Sequence, residues 1–369
     1  MNKAASDFIV IGAGIIGLAT AAELLEAGAT VTVLERGEIG RESSWAGGGI
    51  LSPLCPWDYP DEVTLLTDFS AALYPEWVVR LHASTGIDVE YEVSGLLVLP
   101  PYDMAAVQTW QHSHNVPVER KRLGDVCFFS QERDFAYPVE NALFLPHIAQ
   151  VRNPRLLSAL RSHVAHLGGR LVEHCEVSKF AVSNQMIHGV ISTCGRFGAD
   201  YVIVTAGAWS GQILGEFALS LDIKPIQGQM LLYKFESPPL TSILLQGSVY
   251  LIPRRDGHLL VGSTVEDVGF NKQTTSAARD DLFEQARKLL PQLEGMPLIQ
   301  HWAGLRPASP QNIPIIGPHP LLKNLFINSG HFRYGVTMAP GSAQLLLNAI
   351  MGKPQPFDIR PYQKGWEND

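Results

Sequence analysis

Apolar runs alternate with short polar or glycine-rich turns most clearly near the N-terminus. Residues 8–11 form a continuous apolar run that predicts a buried strand, and the spacing of apolar positions over residues 18–26 predicts a helix. Residues 30–34, in which threonine and valine alternate before Leu34, predict another strand that is followed directly by Glu35. The order strand, helix, strand predicts a βαβ unit.

A glycine-rich turn joins the first strand to the helix. Gly12 makes the turn, Gly14 allows the backbone to approach a pyrophosphate at the positive helix end, and Gly17 lets the helix pack closely on the strand. Glu35 stands where a carboxylate accepts hydrogen bonds from an adenosine ribose. The combination predicts a dinucleotide site rather than an ordinary βαβ turn. By itself it leaves NAD and FAD open.

Apolar periodicity predicts further elements along the rest of the chain. Helices are expected at residues 64–81, 102–114, 153–167, 277–290 and 339–351, and strands at 95–99, 171–172, 177–182, 187–193, 200–204, 229–235, 250–253, 259–264 and 325–328. Asn153 is the predicted N-cap of its helix. The Asp256-Gly257 pair predicts a hairpin between two antiparallel strands.

Two serines and three consecutive glycines interrupt this pattern after the βαβ unit. Ser43 and Ser44 precede Gly47, Gly48 and Gly49. A run of glycines loses backbone entropy with no side chain to pack, so it marks a place where the backbone lies against something flat or bulky. The alternative interpretation is a mobile linker.

Two other loops adjoin predicted elements. The buried strand at 200–204 runs into Thr205 and a series of small residues, so a second strand end is expected at the same ligand. Loop 55–61 contains Trp57 and Tyr59. It is predicted to be an ordinary surface loop, with a lid over a pocket as the alternative.

Composition and charge exclude several classes of protein. The 369 residues are 46% hydrophobic and 17% charged, which is typical of a soluble globular protein long enough for two domains. Acidic residues outnumber basic ones, 36 to 28, and no Lys/Arg cluster occurs, so no nucleic-acid partner is expected. No apolar run reaches the ~20 residues of a transmembrane segment. The expected partner is a small molecule.

The cysteines and histidines form no metal-binding pattern. Cys55, Cys127, Cys175 and Cys194 lack C-x-x-C spacing, which argues against zinc, iron–sulfur clusters and a disulfide framework. The twelve histidines have no accompanying set of carboxylates or cysteines. We therefore predict no metal, and a reducing cytoplasm as the location.

Two arginines lie in otherwise apolar, glycine-rich segments, Arg306 within residues 304–307 and Arg333 within residues 330–336. A buried guanidinium is costly without a partner, so each either pairs with an internal carboxylate or binds the anion of a ligand. Tyr250, at the start of a predicted strand, is either a pocket residue or a buried core tyrosine.

In combination these motifs resemble the D-amino-acid-oxidase-like FAD enzymes, and within that family the bacterial glycine-oxidase branch of thiamine synthesis. The resemblance covers nearly the whole chain. It rests on residues 12–17 with Glu35, residues 43–44 with 46–50, and residues 205–209, 304–307 and 330–336.

The resemblance implies an α/β fold, more closely an α+β composite, with a Rossmann-like FAD-binding domain and a second, mainly antiparallel β substrate domain. The FAD-binding domain is expected at residues 1–85, 149–220 and 297–369, and the substrate-binding domain at residues 86–148 and 221–296. The dinucleotide is then FAD, bound non-covalently, because the second glycine stretch suits a tricyclic ring.

The resemblance also assigns the cofactor contacts. The expected contacts are Gly12, Gly14, Ile15 and Gly17 at the turn and pyrophosphate, Glu35 and Arg36 at the adenosine, Ser43 and Ser44 at the diphosphate or ribityl chain, Ala46, Gly47, Gly48, Gly49 and Ile50 along the isoalloxazine, Val177 at the adenine, Ala206, Gly207 and Trp209 at the second strand end, and Gly330, His331, Phe332, Arg333, Tyr334, Gly335 and Val336 around the pyrimidine side of the ring. Residues 335–341 lead into a helix, so its positive end is expected at the flavin N1/C2 carbonyl edge.

The implied reaction is oxidative deamination of glycine, with sarcosine or small D-amino acids as secondary substrates. Arg333 is the expected bidentate clamp on the substrate carboxylate, Arg306 lines the same pocket, and Tyr250 donates its hydroxyl to the carboxylate. Hydride transfer to FAD gives an imine, which is hydrolysed to the 2-oxo acid and ammonia while oxygen is reduced to hydrogen peroxide. Position and electrostatics carry the reaction, so no acid–base residue is expected. A homo-oligomer and a hand-off of the imine to a thiazole synthase are further expectations of the resemblance.

Three alternatives stay open. Sarcosine-type oxidases in the family tether FAD through a C-terminal cysteine, whereas no cysteine follows Cys194. A D-amino-acid dehydrogenase would use another electron acceptor, and a flavin-binding module would lack turnover. Some relatives carry a second pocket tyrosine within the stretch equivalent to residues 243–249, which contains none here, so the preferred substrate size is also open.

Overall fold

The computed structural model describes residues 6–121 and 141–365. Cys127 and the part of the predicted substrate domain between residues 122 and 140 lie outside the described residues.

The described helices and strands follow the predicted order. The helices are α1 (Ile15–Glu26), α2 (Ser43–Ala46), α3 (Asp61–Thr85), α4 (Met104–His114), α5 (Asn153–His166), α6 (Ser210–Leu214), α7 (Ser276–Leu289) and α8 (Gly335–Met351). The strands are β1 (Ser6–Ile11), β2 (Val31–Leu34), β3 (Glu92–Val93), β4 (Leu96–Leu99), β5 (Glu119–Lys121), β6 (Ala142–Leu145), β7 (Ala149–Gln150), β8 (Arg170–Val172), β9 (Val177–Ser183), β10 (Met186–Ser192), β11 (Gly195–Phe197), β12 (Ala199–Val204), β13 (Lys224–Lys234), β14 (Ile243–Gln246), β15 (Val249–Pro253), β16 (His258–Gly262), β17 (Gln300–Ala308), β18 (Ile315–Pro318) and β19 (Leu325–Ser329).

The first large sheet is mostly parallel. Its order is β18-β19-β12-β1-β2-β8, and only β18 runs antiparallel to its neighbour. Helices α1, α3, α5 and α8 supply one hydrophobic core, and the β9–β11 hairpin sheet belongs to a second core together with β1 and β12. The carboxyl ends of β1, β2 and β12 therefore meet at one edge, where ligands of such sheets bind.

The second large sheet is mainly antiparallel. Its order is β17-β13-β16-β15-β14-β4-β6-β5, and α7 packs against it. Strand β17 lies in the segment expected to belong to the FAD-binding domain, yet it pairs along its length with β13. The division of the chain into two domains at the expected residues stays a prediction.

Two local predictions need correction. Asn153 is the first residue of α5 and does not cap it, since Arg152 occupies the N-cap position. Helix α8 begins at Gly335, earlier than the predicted residue 339, although Pro340 lies inside it. Proline has no N–H to donate to the carbonyl of Val336, and the Tyr74 hydroxyl donates to that carbonyl instead.

Loop 55–61 packs inward at two points. Trp57 is buried and contacts Trp110 edge-to-face, with ring centroids 6.2 Å apart. Tyr59 packs edge-to-face on Tyr334 at 5.1 Å. Among the described residues no helix has the length and apolar character needed to cross a membrane.

Candidate active site

A cavity of ≈ 330 Å³ lies between the two large sheets. Its walls come from the carboxyl ends of β1, β2 and β12, the segment around α2, strands β13, β15 and β17, and the start of α8. Residues that are far apart in the sequence therefore surround one space.

The βαβ turn forms one end of the cavity. The Glu35 carboxylate accepts hydrogen bonds from the N–H groups of Ala13 at 2.8 Å and Gly37 at 3.0 Å, so its position at the end of β2 is fixed. A carboxylate has lone pairs left after two such bonds, and these can accept ribose hydroxyls. Gly12 has a φ of +104°, which suits glycine. This geometry fits the adenosine end of a dinucleotide.

Ser44 holds the start of α1. Its Oγ accepts the N–H of Ile15 at 2.9 Å, because the N-cap residue, Gly14, has no side chain to do so. Thr205, which was not among the predicted contacts, donates its hydroxyl to the carbonyl of Gly12 at 2.8 Å and so joins the two strand ends.

Arg36 lies in a cluster of charges and rings at the same end. Its guanidinium lies 3.6 Å from the centre of the Trp209 ring and pairs with Glu42 at 3.0 Å. Lys272, from the loop after β16, also pairs with Glu42 at 3.0 Å. Phe270 of that loop packs on Trp209. The cluster thus connects the parallel sheet to the antiparallel one.

The three consecutive glycines are packed, so a mobile linker is the wrong interpretation. A Cβ added to Gly48 would lie 2.5 Å from Ile252 Cδ1, and one added to Gly49 would lie 2.1 Å from the carbonyl oxygen of Val151. Both glycines also line the cavity. Protein neighbours on one side therefore account for the absence of side chains, independently of any group on the other side.

Three side chains that were not predicted for the site fix this glycine segment. Asn153 donates to the carbonyls of Ser44 and Gly47, each at 2.9 Å, and Arg254 donates to the carbonyl of Gly48 at 2.6 Å. Trp302 donates to the carbonyl of Ala46 at 3.0 Å. Arg254 precedes a hairpin turn, where arginine is usually solvated, but here it is 5% exposed and burial lowers its pKa to about 10. The sequence contains no signal for this long-range contact.

Arg306 is held by neutral groups. Its guanidinium donates to the carbonyls of Gln227 at 3.2 Å and Thr264 at 3.0 Å, and to the hydroxyl of Ser263 at 2.7 Å. The alternative in which Arg306 pairs with an internal carboxylate is therefore wrong, as far as the described residues are concerned. Burial lowers its pKa to about 10, and the nearby charge of Arg333 acts in the same direction.

Arg333 has no hydrogen bond or ion pair within the described ranges, and its Nε atom is buried without a partner. Tyr250, 7% exposed, also lines the cavity and donates its hydroxyl to Met230 Sδ at 3.2 Å. A thioether is a weak acceptor, so the hydroxyl can turn to a better one. Two guanidinium groups and a phenol thus face the cavity, and no carboxylate of residues 6–121 or 141–365 pairs with either arginine.

The start of α8 forms the wall next to Arg333. The first N–H groups of a helix have no acceptor within the helix, and they carry the positive end of its dipole. His331 is buried, with a ring nitrogen 2.9 Å from Ser342 Oγ, and burial lowers its pKa to about 3. Its ring is therefore neutral and engaged. Phe332 has a φ of +46°, a conformation that side-chain-bearing residues rarely adopt.

Almost every predicted site residue lines the cavity. The exceptions are Gly17 and Gly330, which lie behind the walls. An added Cβ on Gly17 would lie 1.9 Å from the carbonyl oxygen of Gly12, and one on Gly330 would meet Ser309 at 3.1 Å. The individual roles of the predicted residues as FAD or substrate contacts remain predictions.

The family model described as FAD dependent oxidoreductase, DAO, matches residues 7–349 of the chain. The chain belongs to this family.

Relatives and solved structures agree with this assignment. The glycine oxidase of Pseudomonas putida is 42% identical over 360 residues, which are 96% of this chain and 97% of that protein. A protein of Trichormus variabilis named bifunctional protein ThiO/ThiG is 31% identical over 94% of this chain and 52% of its own length. The crystal structure of glycine oxidase from Geobacillus kaustophilus superposes with a TM-score of 0.91, at 26% identity and with 98% of each chain covered.

These comparisons confirm four predictions: the family, the mixed α/β fold class, the FAD cofactor and the assignment as an FAD-dependent amino-acid oxidase. The residues of this family member fit FAD, since a fixed carboxylate stands at the end of β2 and helix N-termini border both ends of the cavity.

Replacing Gly228 with alanine is expected to displace Arg306 in this oxidoreductase. An added Cβ would lie 2.0 Å from Arg306 Nη2, so the guanidinium has to move away from the groups to which it is hydrogen-bonded. We expect KM for the amino-acid substrate to rise about tenfold while FAD stays bound. Steady-state kinetics and flavin content measure both effects. Gly211→Ala is the matched control, because its added Cβ meets nothing within 4 Å. An unchanged KM would show that Arg306 does not contribute to substrate binding.

Proposed function

We propose that the enzyme oxidatively deaminates glycine to the 2-oxo acid, ammonia and hydrogen peroxide, with sarcosine or small D-amino acids as secondary substrates. The observation that carries the proposal is the pair of cavity-lining arginines, Arg306 and Arg333, for which no carboxylate partner is found in the described part of the chain. The relatives named glycine oxidase support glycine as the substrate.

The charge balance of the cavity favours an anionic ligand. Two adjacent cations in a partly desolvated space repel each other, and a bound carboxylate relieves this repulsion. No guanidinium N–H group of Arg333 donates a hydrogen bond to the described residues, whereas Arg306 already uses three. These differences support Arg333 as the residue that binds the substrate carboxylate and Arg306 as the residue that adds positive charge to the same part of the cavity.

The protein contributes binding and orientation in this proposal. Arg333 and Tyr250 hold the substrate carboxylate and thereby orient the α-carbon and the amine. Bound FAD would supply the acceptor for the hydride that leaves the α-carbon. The first-turn N–H groups of α8 stabilise negative charge at the adjoining wall. His331 is engaged by Ser342, and the carboxylates that line the cavity, Glu35, Glu42 and Glu176, pair with neither arginine, so the proposal assigns none of these groups as an acid–base residue.

Anaerobic mixing of the holoenzyme with glycine, sarcosine and D-alanine tests the proposal. We expect bleaching of the flavin absorbance to be fastest with glycine, followed by peroxide formation when air is admitted. Bleaching without peroxide would assign another electron acceptor. No bleaching by any of the three would contradict amino-acid oxidation, and an Arg333→Ala sample serves as the control for nonspecific reduction.

The reaction rate should depend on pH in two steps. The amine has to be neutral to expel hydride, so kcat/KM is expected to rise as the pH increases toward the alkaline range. Burial lowers the pKa of Arg306 to about 10, so its cation is present below that pH and is lost as the pH rises through it. We therefore expect KM to increase above about pH 10. A pH series of the reductive half-reaction measures both limbs, and a flat profile would contradict the first.

The remaining expectations are proposals as well. The cytoplasmic location follows from the cysteine pattern, and the homo-oligomer and the transfer of the imine to a thiazole synthase follow from the resemblance. The bifunctional relative supports the transfer, because the segment similar to this enzyme makes up 52% of that protein.

A further inference from the structure

Two cysteines face each other at the base of the β9–β10 hairpin. Val177 pairs with Ser192 in antiparallel register, and the N–H of Thr193 donates to the carbonyl of Glu176 at 2.9 Å. Cys175 lies two residues before β9, and Cys194 lies in the two-residue turn that joins β10 to β11, where Ser192 pairs with Gly195. Both cysteines therefore lie beside Ser192, at the same end of the hairpin.

The side chains of this pair meet. The two thiols interact with each other, and both residues share Ser192, whose Oγ accepts the thiol of Cys175 and the N–H of Cys194, each at 3.2 Å. A disulfide requires two sulfurs that approach each other closely, and the contact between the two thiols beside Ser192 supplies this approach. Both residues are present as thiols in this structure.

The two thiols differ in access and in position. Cys194 is exposed, whereas Cys175 is 1% exposed and lines the cavity at its adenosine end. The N–H of Cys175 donates to the carbonyl of Glu35 at 2.8 Å. Chemistry at this pair therefore takes place in the wall of the proposed cofactor site.

We propose that Cys175 and Cys194 form a peroxide-sensitive dithiol that closes reversibly to a disulfide. In the first step the Cys194 sulfur attacks one peroxide oxygen, the O–O bond breaks, and sulfenic acid and water are formed. In the second step the Cys175 sulfur attacks Cys194 Sγ, the S–O bond breaks, and hydroxide leaves as water with the Cys175 proton. The two thiols lose two electrons, and one hydrogen peroxide is reduced to two waters.

The order of these steps follows from burial. Burial raises the pKa of the Cys175 thiol, which keeps it protonated and unreactive toward peroxide, whereas Cys194 is open to solvent. In a reducing cytoplasm such a pair stays reduced until peroxide accumulates. That the enzyme itself produces this peroxide rests on the proposed function. The oxidation of the two thiols by peroxide does not depend on it.

Adding hydrogen peroxide to the holoenzyme, without substrate, tests the dithiol alone. After alkylation of the remaining thiols and digestion without reductant, we expect one cross-linked peptide pair joining Cys175 to Cys194, with a mass loss of about 2 Da that dithiothreitol reverses. Cys55 should not be oxidised and should therefore be recovered in the alkylated form, since burial raises the pKa of its thiol to about 12. A Cys194 that proceeds to sulfinic acid with Cys175 still alkylated would overturn the proposal.

Two variants keep the test independent of any single substitution. In Cys175→Ser the resolving thiol is missing, so Cys194 is expected to accumulate as sulfenic acid that dimedone traps. In Cys194→Ser, at an exposed position, Cys175 is expected to remain reduced. Equal oxidation of Cys175 in this variant and in the unaltered enzyme would overturn the proposed order. A parallel sample given glycine and air, with and without catalase, tests the peroxide source separately, so its failure affects only the proposed function.

Discussion

Replacing Arg333 with alanine is expected to lower kcat/KM for the amino-acid substrate by about 30- to 1,000-fold, which corresponds to about 2–4 kcal/mol of transition-state binding. The Arg333 guanidinium lines the cavity and forms no hydrogen bond or ion pair in the described ranges, so its removal takes away a charge-assisted contact and leaves no buried carboxylate behind. Single-turnover flavin reduction and steady-state kinetics give the ratio. Flavin content checks that the cofactor remains bound.

Arg255→Ala is the matched control for this variant. Arg255 pairs with Asp88 and Glu92 on an exposed surface, outside the cavity lining. We expect its kcat/KM to be unchanged, because exposed pairs contribute little. Tyr250→Phe should cost only about 1 kcal/mol, since one neutral donor is lost. A decrease of less than about tenfold for Arg333→Ala would remove this residue from the clamp.

Replacing Gly17 with alanine is expected to destabilise the βαβ unit by about 3 kcal/mol and to prevent retention of FAD, because a tightly packed backbone has no room for a methyl group. The added Cβ would lie 1.9 Å from the carbonyl oxygen of Gly12 and 2.7 Å from Thr205 Oγ1. Neither neighbour is a flexible chain end, and the two already share a hydrogen bond. In the variant, the backbone turn between β1 and α1 must therefore widen to make room for the methyl group.

Thermal unfolding of the apoprotein and the ratio of FAD to protein after purification measure this effect. Gly211→Ala provides the comparison, because Gly211 is also in a helix and an added Cβ there meets nothing within 4 Å. Its melting temperature should be equal or slightly higher, as alanine favours helix more than glycine does. If the Gly17→Ala protein retained FAD and melted at the temperature of the control, the prediction would be contradicted, and α1 would have to be able to shift away from β1.

The parts of the fold that depend on near neighbours could be predicted from the sequence. Strand β1, helix α1 and strand β2 follow from one apolar period each, and the turn between them follows from glycine positions. Helix α8 could be predicted in part only, because Pro340 argues for a later start. The Tyr74 hydroxyl that satisfies the Val336 carbonyl comes from a helix far away in the sequence.

The candidate site shows the same difference. Residue type and apolar surroundings indicate that Arg306 and Arg333 need an anion, but both alternatives, an internal carboxylate and a ligand, satisfy that need equally well in the sequence. Only the structure shows that Arg306 lies on carbonyl and hydroxyl groups of β13 and the segment after β16. Arg254 was missed for a related reason, since its sequence neighbours form a hairpin turn while its guanidinium reaches the glycine segment.

The sequence by itself determined the βαβ unit with its glycine turn, the family and hence the FAD cofactor, because these depend on local backbone preferences and on motifs of short span. The tertiary structure decided which side chains share the cavity, how the three glycines are packed, and that Cys175 and Cys194 both contact Ser192. Those contacts depend on strand register and on the approach of two sheets. Hydrophobic periodicity assigns a residue to a face of its own element, but it carries no information about which distant residue that face meets.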